Sequence, residues 1–411
     1  YTFSGSFWFS AVEGEVYAMS SLFTAVVFWA ILKWENEAED PRSSRWIVLI
    51  AFLIGLSIGV HLLNLLAIPA IAFVYYFKKY KTTTKGILLT GLISVFLLFL
   101  VMSVIVPGVV YLSGLAELLF VNGFGLPFHT GTLFYFALIA FLIVWGIRSS
   151  HARKRVAMNT AILCITFILI GYSSFLLLII RSNANTPINE NHPRDAISLL
   201  AYLNREQYGD WPIVHGQYYN APVIERNDGR PVYRKDQEKG RYVITDDRER
   251  TVPVYDPRFT TIFPRMWNNT ENRYIRDYET WGKIEGIPVT VGEETGEPEV
   301  IRKPTFSENL RFFWRYQLNH MYFRYFMWNF AGRQNDIQGM ADRKNGNWLT
   351  GITPFDRMRL GPVDDPPESL ESKARNHFYL FPLLLGIIGL LFQYRKNRKD
   401  LVVVALLFLM T

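Results

Sequence analysis

The sequence predicts an α-helical polytopic membrane protein with a mixed α/β soluble insertion. Three observations carry that reading. Residues 1–180 and 376–411 are built of long apolar runs, whereas 181–375 is polar, charged and rich in Tyr, Trp, Arg and Asn. Several apolar runs approach the roughly 20 residues that a helix needs to cross the hydrocarbon core. Much of the Lys and Arg behind the net charge of +7 sits in short loops between those runs, where it sets membrane orientation rather than marking a nucleic-acid partner. A single cysteine, Cys164, excludes a disulfide framework within these 411 residues and any Cys-based zinc site.

Run length and flanking charge place spans near 16–33, 46–60, 65–77, 85–106, 132–147, 158–180, 378–393 and from 401 onward. The organisation is then about six spans in 1–180, a soluble insertion over 181–375 and further spans in 376–411. The segment 65–77 is the shortest and could pair with its predecessor as a broken helix. Tyr1 and Thr411 read as cut ends of a longer protein.

The loops 78–85 (KKYKTTTK), 148–155 (RSSHARKR) and 394–399 (YRKNRK) are strongly basic, and 107–131 holds no Lys or Arg. The positive-inside rule assigns the basic loops to the cytoplasm. Alternation then puts 107–131, the insertion, Glu13, Glu15 and the turn 61–64 on the outer side. That outcome requires 46–60 and 65–77 to be separate spans.

The stretch 10–23 (SAVEGEVYAMSSLF) sets two carboxylates, Glu13 and Glu15, at the mouth of an apolar run. A carboxylate there is costly and usually faces water, a partner or a substrate. The alternative is a headgroup position favoured by the positive end of the helix dipole. In GLSIGVHLLNLL (55–66), Gly55 and Gly59 give a smooth face for close packing. His61 and Asn64 follow, either to hold a lipid phosphate or to bond neighbouring helices. The apolar stretch 107–131, broken by Gly and Pro, reads as a surface-lying or re-entrant helix. Its Glu117 and His129 are either solvated or line the same cavity.

In the insertion, 191–209 reads as a capped amphipathic helix with Pro193 in its first turn and Gly209 at its end. WPIVHG (211–216), RYVIT (241–245) and TVPVY (251–255) read as short strands. The aromatic, Arg-containing stretch 307–330 suits a helix at a membrane interface. AGRQNDIQG (331–339) follows, with Arg333, Gln334, Asn335 and Asp336 as candidates to bind an acceptor or sugar, or else as a solvent loop with internal Asx turns. There is no Gly-rich phosphate loop, HExxH helix or nucleophile elbow, and no metal site is expected.

Four stretches, WFSAVEGEVYAMSSLFTAVVFWAILKWE, GLSIGVHLLNLLAIPA, LLAYLNREQYGDWPI with HGQYYNAPV, and FRYFMWNFAGRQNDIQG, resemble the transmembrane protein O-mannosyltransferase-like family of Bacteroidetes and animals. The resemblance implies a fold of the GT-C type. It implies transfer of a sugar from a polyprenyl-phosphate carrier to an acceptor on the outer face, in the bacterial case at the inner membrane facing the periplasm. The lipid bilayer, the polyprenyl-phosphate sugar as co-substrate and exported proteins are then the partners, with no further cofactor. Glu15, then Glu13, best match the carboxylate that such enzymes carry near the donor sugar. His61 stands where other lipid-sugar transferases have a Lys for the lipid phosphate. The superfamily's main catalytic acid would precede Tyr1. A related enzyme glycosylating a lipid or envelope glycan is the nearest rival, and a non-catalytic scaffold or transporter is the rival of another class. A transporter should show two related halves with broken helices at mid-membrane, and the chain has no internal repeat.

Overall fold

The computed structural model describes residues 5–184, 186–189, 191–206, 212–229, 231–245, 252–292, 298–339, 341–363 and 372–410. The chain divides into two compact units. One comprises Tyr1–Gly209, Val232–Thr245 and Gln393–Thr411; the other comprises Asp210–Pro231 and Asp246–Phe392.

The first unit is helical. After a short α1 (Gly5–Val12) come α2 (Val16–Asn36) and α3 (Ser44–Ile58), then a 3-10 segment, Leu62–Ala67, that leads into α4 (Ile68–Lys79). Ring contacts fix their directions. Trp29 meets Trp46 edge-on at 5.5 Å, and Tyr17 lies 5.8 Å from His61, so α2 and α3 are antiparallel. Trp34 stacks on Tyr75 at 4.8 Å, and the Lys79 ammonium donates to the Ala38 carbonyl at 2.6 Å, so α4 runs parallel to α2. The segments 44–58 and 62–79 are therefore distinct helices, as the orientation argument requires.

α5 (Thr84–Phe99) passes through a π segment, Leu100–Ile105, into α6 (Val106–Leu118) and a second π segment, Leu119–Gly123. This is one helix of 40 residues. At 1.5 Å per residue it would extend roughly 60 Å if straight, about twice the hydrocarbon thickness. The expected boundary before Pro107 is thus corrected. Pro107 sits in the first turn of α6, where the widened π winding changes the bonding ladder and tolerates the missing N–H. The Tyr172 hydroxyl donates to the Val106 carbonyl at 2.9 Å.

α7 (Thr130–Ala152) and α8 (Val156–Tyr172) follow, then α9 (Leu176–Asn183). α8 lies parallel to α3, Phe52 against Phe167 and Gly59 against Ser174. Gly55 and Gly171 let the two backbones touch: a Cβ on either would overlap the other helix's main chain. α10 (Ala196–Leu203) begins at Asp195, whose carboxylate and Ser198 form a capping box. Pro193 accordingly precedes the helix, and Gly209 lies outside the described residues.

The hairpin of β3 (Val232–Asp236) and β4 (Arg241–Thr245) belongs to this unit. So does α16 (Arg398–Met410), which starts with Lys399 over the Phe77 ring. The core joins Val27, Ile31, Ile54, Leu65, Phe73, Val110, Tyr172, Leu199 and Val403. Among the described residues, five helices of 18 residues or more are apolar enough to span a membrane, and α3 is a shorter apolar helix, so this is a multi-pass membrane protein.

In the second unit, β1 (His215–Gln217) pairs with β6 (Thr260–Ile262), and β2 (Val223–Asn227) pairs with β5 (Val252–Tyr255). β7 (Ile287–Val291) pairs with β8 (Glu299–Lys303), and β9 (Gly332–Arg333) pairs with β10 (Asn376–His377). All four pairs are antiparallel. The expected strand over 211–216 is shorter and begins at His215. α11 (Asn272–Gly282) packs on α12 (Phe306–Phe312), around Tyr219, Tyr278 and Phe312. A π segment, Phe313–Phe323, continues α12 into α13 (Arg324–Phe330). α14 (Thr353–Leu360) and α15 (Phe381–Lys396) complete the described helices.

Candidate functional site

The first unit has two chemically unlike ends. Lys33, Glu37, Arg45 and Lys79 gather at one. There the Glu37 carboxylate accepts from Arg45 at 2.6 Å and from the Trp46 indole at 2.8 Å. The helix directions bring the basic loops after α4 and α7 to this same end, and Lys399 of the 394–399 loop joins them over the Phe77 ring. Glu15, Tyr17, His61 and the C-terminus of α8 lie at the opposite end.

There the chain breaks between α1 and α2 at Glu13–Gly14–Glu15. Glu15 is the N-cap of α2, in extended conformation (φ −101°, ψ 161°), but its carboxylate makes no capping bond. Both Glu13 and Glu15 are exposed. Glu15 thus stands at the positive end of the α2 dipole, whereas Glu13 closes the last turn of α1, its N–H donating to the Phe9 carbonyl at 3.0 Å.

His61 is held by local geometry. It is extended (φ −161°, ψ 137°), caps the 3-10 turn, and its Nδ1 accepts the Leu63 N–H at 3.1 Å. That bond uses the Nδ1 lone pair, which leaves Nε2 as the ring nitrogen for a further partner. Asn64 is fully buried rather than presented to solvent. Its Nδ2 donates to Ser57 Oγ at 2.9 Å, and Ser57 Oγ donates to the Ile54 carbonyl at 2.8 Å. This chain ties the 61–67 corner to α3. The Asn64 Oδ1 and the buried Ser20 and Ser174 hydroxyls have no hydrogen-bond partner among the described residues.

A second carboxylate corner was not expected. Glu117, read as solvated or cavity-lining, is 1% exposed. It accepts the His129 N–H at 2.5 Å, the Thr132 N–H at 3.0 Å and the Thr132 hydroxyl at 3.1 Å, with the Tyr242 hydroxyl at 3.4 Å. It thereby satisfies the first amides of α7 and draws on that helix's dipole. Asn122 clamps the same hairpin by exchanging two bonds with the Tyr242 backbone, at 2.8 and 2.9 Å. Burial pushes the Tyr242 phenol far up.

In the second unit, the loop after α13 turns its polar groups inward. Asn335, 1% exposed, accepts the Gly346 N–H at 2.8 Å and donates to the Lys344 carbonyl at 3.2 Å. Gln334 bonds Arg343 and Asn347, and Arg333 Nε donates to the Ala374 carbonyl at 3.0 Å. Asp336 is exposed and accepts one bond, from Ser372. Arg324, His320 and Trp328 tie the loop to the helix through the carbonyls of Gly346 and Gly339. Desolvation holds the His320 imidazole below its ordinary range. Among the described residues, no three His, Cys, Asp or Glu side chains group as a metal site.

Residues 1–84 match the family model described as the N-terminal domain of the protein O-mannosyl-transferase TMEM260. The match supports a TMEM260-like O-mannosyltransferase family. The matched stretch contains Glu13, Glu15, His61 and Asn64, and the family's name implies a glycosyltransferase. Residues 209–314, largely in the second unit, match a family of unknown function, DUF8416. No curated protein and no solved structure matches the chain.

Proposed function

We propose that the chain is a GT-C-type integral-membrane glycosyltransferase. It moves mannose or a related sugar from a polyprenyl-phosphate donor to Ser or Thr of exported proteins. The reaction takes place at the outer leaflet of a bacterial inner membrane, with the soluble insertion in the periplasm. The observation that carries this reading is the family match over 1–84, within which α2 starts beside the His61 corner. Orientation is supported by the basic loops gathering at the end opposite Glu15.

In the proposed reaction, Glu15, with Glu13 as the second candidate, takes the proton of the acceptor hydroxyl. The hydroxyl oxygen attacks the anomeric carbon, the bond to the phosphate oxygen breaks, and polyprenyl phosphate leaves with inversion at carbon. The Nε2–H of His61 donates to the departing phosphate, where negative charge grows. Asn64 belongs to this subsite as the residue that holds the 61–67 corner on α3. Arg333, Gln334, Asn335 and Asp336 are the proposed acceptor- or sugar-binding set. Asp336 is its exposed carboxylate, and the other three shape the loop.

The test uses the full chain in lipid nanodiscs with radiolabelled polyprenyl-phosphate mannose, periplasmic proteins and lipid acceptors. Label in protein is the expected result. Label in lipid alone would transfer the reading to a glycolipid enzyme. No label with any polyprenyl-linked sugar would overturn the enzymatic reading.

A further inference from the structure

The aromatic helix of the second unit is left unused by the proposed reaction. One face is packed. Phe312 stacks on Tyr316 at 5.1 Å, Tyr316 on His320 at 5.8 Å, and Trp281 lies against both Tyr316 and His320 at 5.4 and 5.1 Å. In π winding, where bonds run from i to i+5, residues four to five apart share a face. The ladder 312–316–320 is therefore one face, and Trp314 recurs with Tyr322 and Phe323 on another. That second face is bare: Trp314 is 60%, Tyr322 50%, Phe323 51% and nearby Tyr325 59% exposed. Large aromatic side chains grouped in this way on one helix mark an interaction surface.

The exposed charge on this helix has one sign. Arg311 and Arg315 are exposed and held in place, donating to the carbonyls of Gly282 and Trp281 at 2.9 and 3.3 Å. The helix's one carboxylate, Glu308, is buried, accepting the Thr305 N–H at 2.7 Å and the Glu285 N–H at 2.8 Å.

We propose that this face, centred on Trp314, Tyr322 and Phe323, lies in the headgroup–acyl boundary of the lipid bilayer. Trp and Tyr rings are at home at that depth, and Arg beside them meets lipid phosphate. Phe323 has no polar handle for a sugar, but it gains by leaving water for acyl chains. The bilayer is also the one partner already tethered to the chain, through its apolar helices. Tethering raises its effective concentration at this face. The inference rests on multi-pass membrane anchoring and does not depend on the transferase reading.

The test uses the full chain in nanodiscs of phosphatidylcholine and phosphatidylglycerol. With Cys164→Ser as background, nitroxide labels are placed through Trp314→Cys, Phe323→Cys and, as a control on β2 of the same unit, Glu225→Cys. Tyr322→Cys supplies a second position on the face should Trp314→Cys not purify. The ratio of collisions with lipid-soluble oxygen to collisions with a water-soluble nickel chelate reports immersion. The expected ratio is several-fold higher at 314 and 323 than at 225. Equal ratios would put the face in water and overturn the inference. So would exclusion of both reagents, which means protein cover, or immobilisation of the label by a soluble oligomannose, which means a sugar site.

Discussion

Two glutamates in the first unit stand beside helix N-termini and live in opposite worlds. Glu15 is exposed and caps nothing, so its carboxylate is free. Glu117 is sealed from solvent, and its two oxygens receive two backbone amides, one of them the Thr132 N–H at 3.0 Å, and two hydroxyls. The dipole favours both charges, but only the free one has lone pairs to offer a substrate. A carboxylate near a helix start is thus a structural keystone or a chemical group according to whether the fold has already used its oxygens.

That contrast breaks in a definite order. Glu117→Ala orphans several buried donors and is expected to cost about 3 kcal/mol or more, read as a fall in the thermal unfolding midpoint in nanodiscs. Gly171→Ala drives a Cβ into the backbone of α3 and should cost about 1–3 kcal/mol by overpacking. Asn64→Ala removes the bond to Ser57 and should cost about 1 kcal/mol, with transfer reduced only as His61 loses its setting. Glu15→Gln should leave stability within about 0.5 kcal/mol.

The smallest effect is a pH dependence in the second unit. Because burial lowers the His320 pKa in the folded state, the unfolded chain binds more protons as pH falls below the ordinary value of about 6.5. His320's contribution to stability is full above that value and declines below it. The difference in midpoint between the protein and His320→Gln should therefore be flat above neutrality and change only under acid conditions.

Sequence pattern reached much of this fold because hydrophobic runs and basic loops are local signals. The helices around Glu15 and His61, and the close packing at Gly55 and Gly59, were legible for that reason. Glu117 was not. Its partners lie 12, 15 and 125 residues away, and nothing beside it in the chain announces their approach. The helix running through Pro107 was missed because proline ordinarily ends one, and the π winding that accommodates it has no compositional mark. Nor does composition reveal that the polar side chains of 333–335 are consumed by backbone carbonyls such as those of Lys344 and Ala374.

The most direct measurement pairs two readouts on two variants. Sugar transfer and unfolding midpoint are measured side by side for the full chain, Glu15→Gln and Glu117→Gln. The account predicts that Glu15→Gln loses transfer with an unchanged midpoint, while Glu117→Gln lowers the midpoint and keeps transfer per folded molecule. Full transfer by Glu15→Gln, with Glu117→Gln folded but inactive, would contradict it and move the reacting carboxylate to the buried corner.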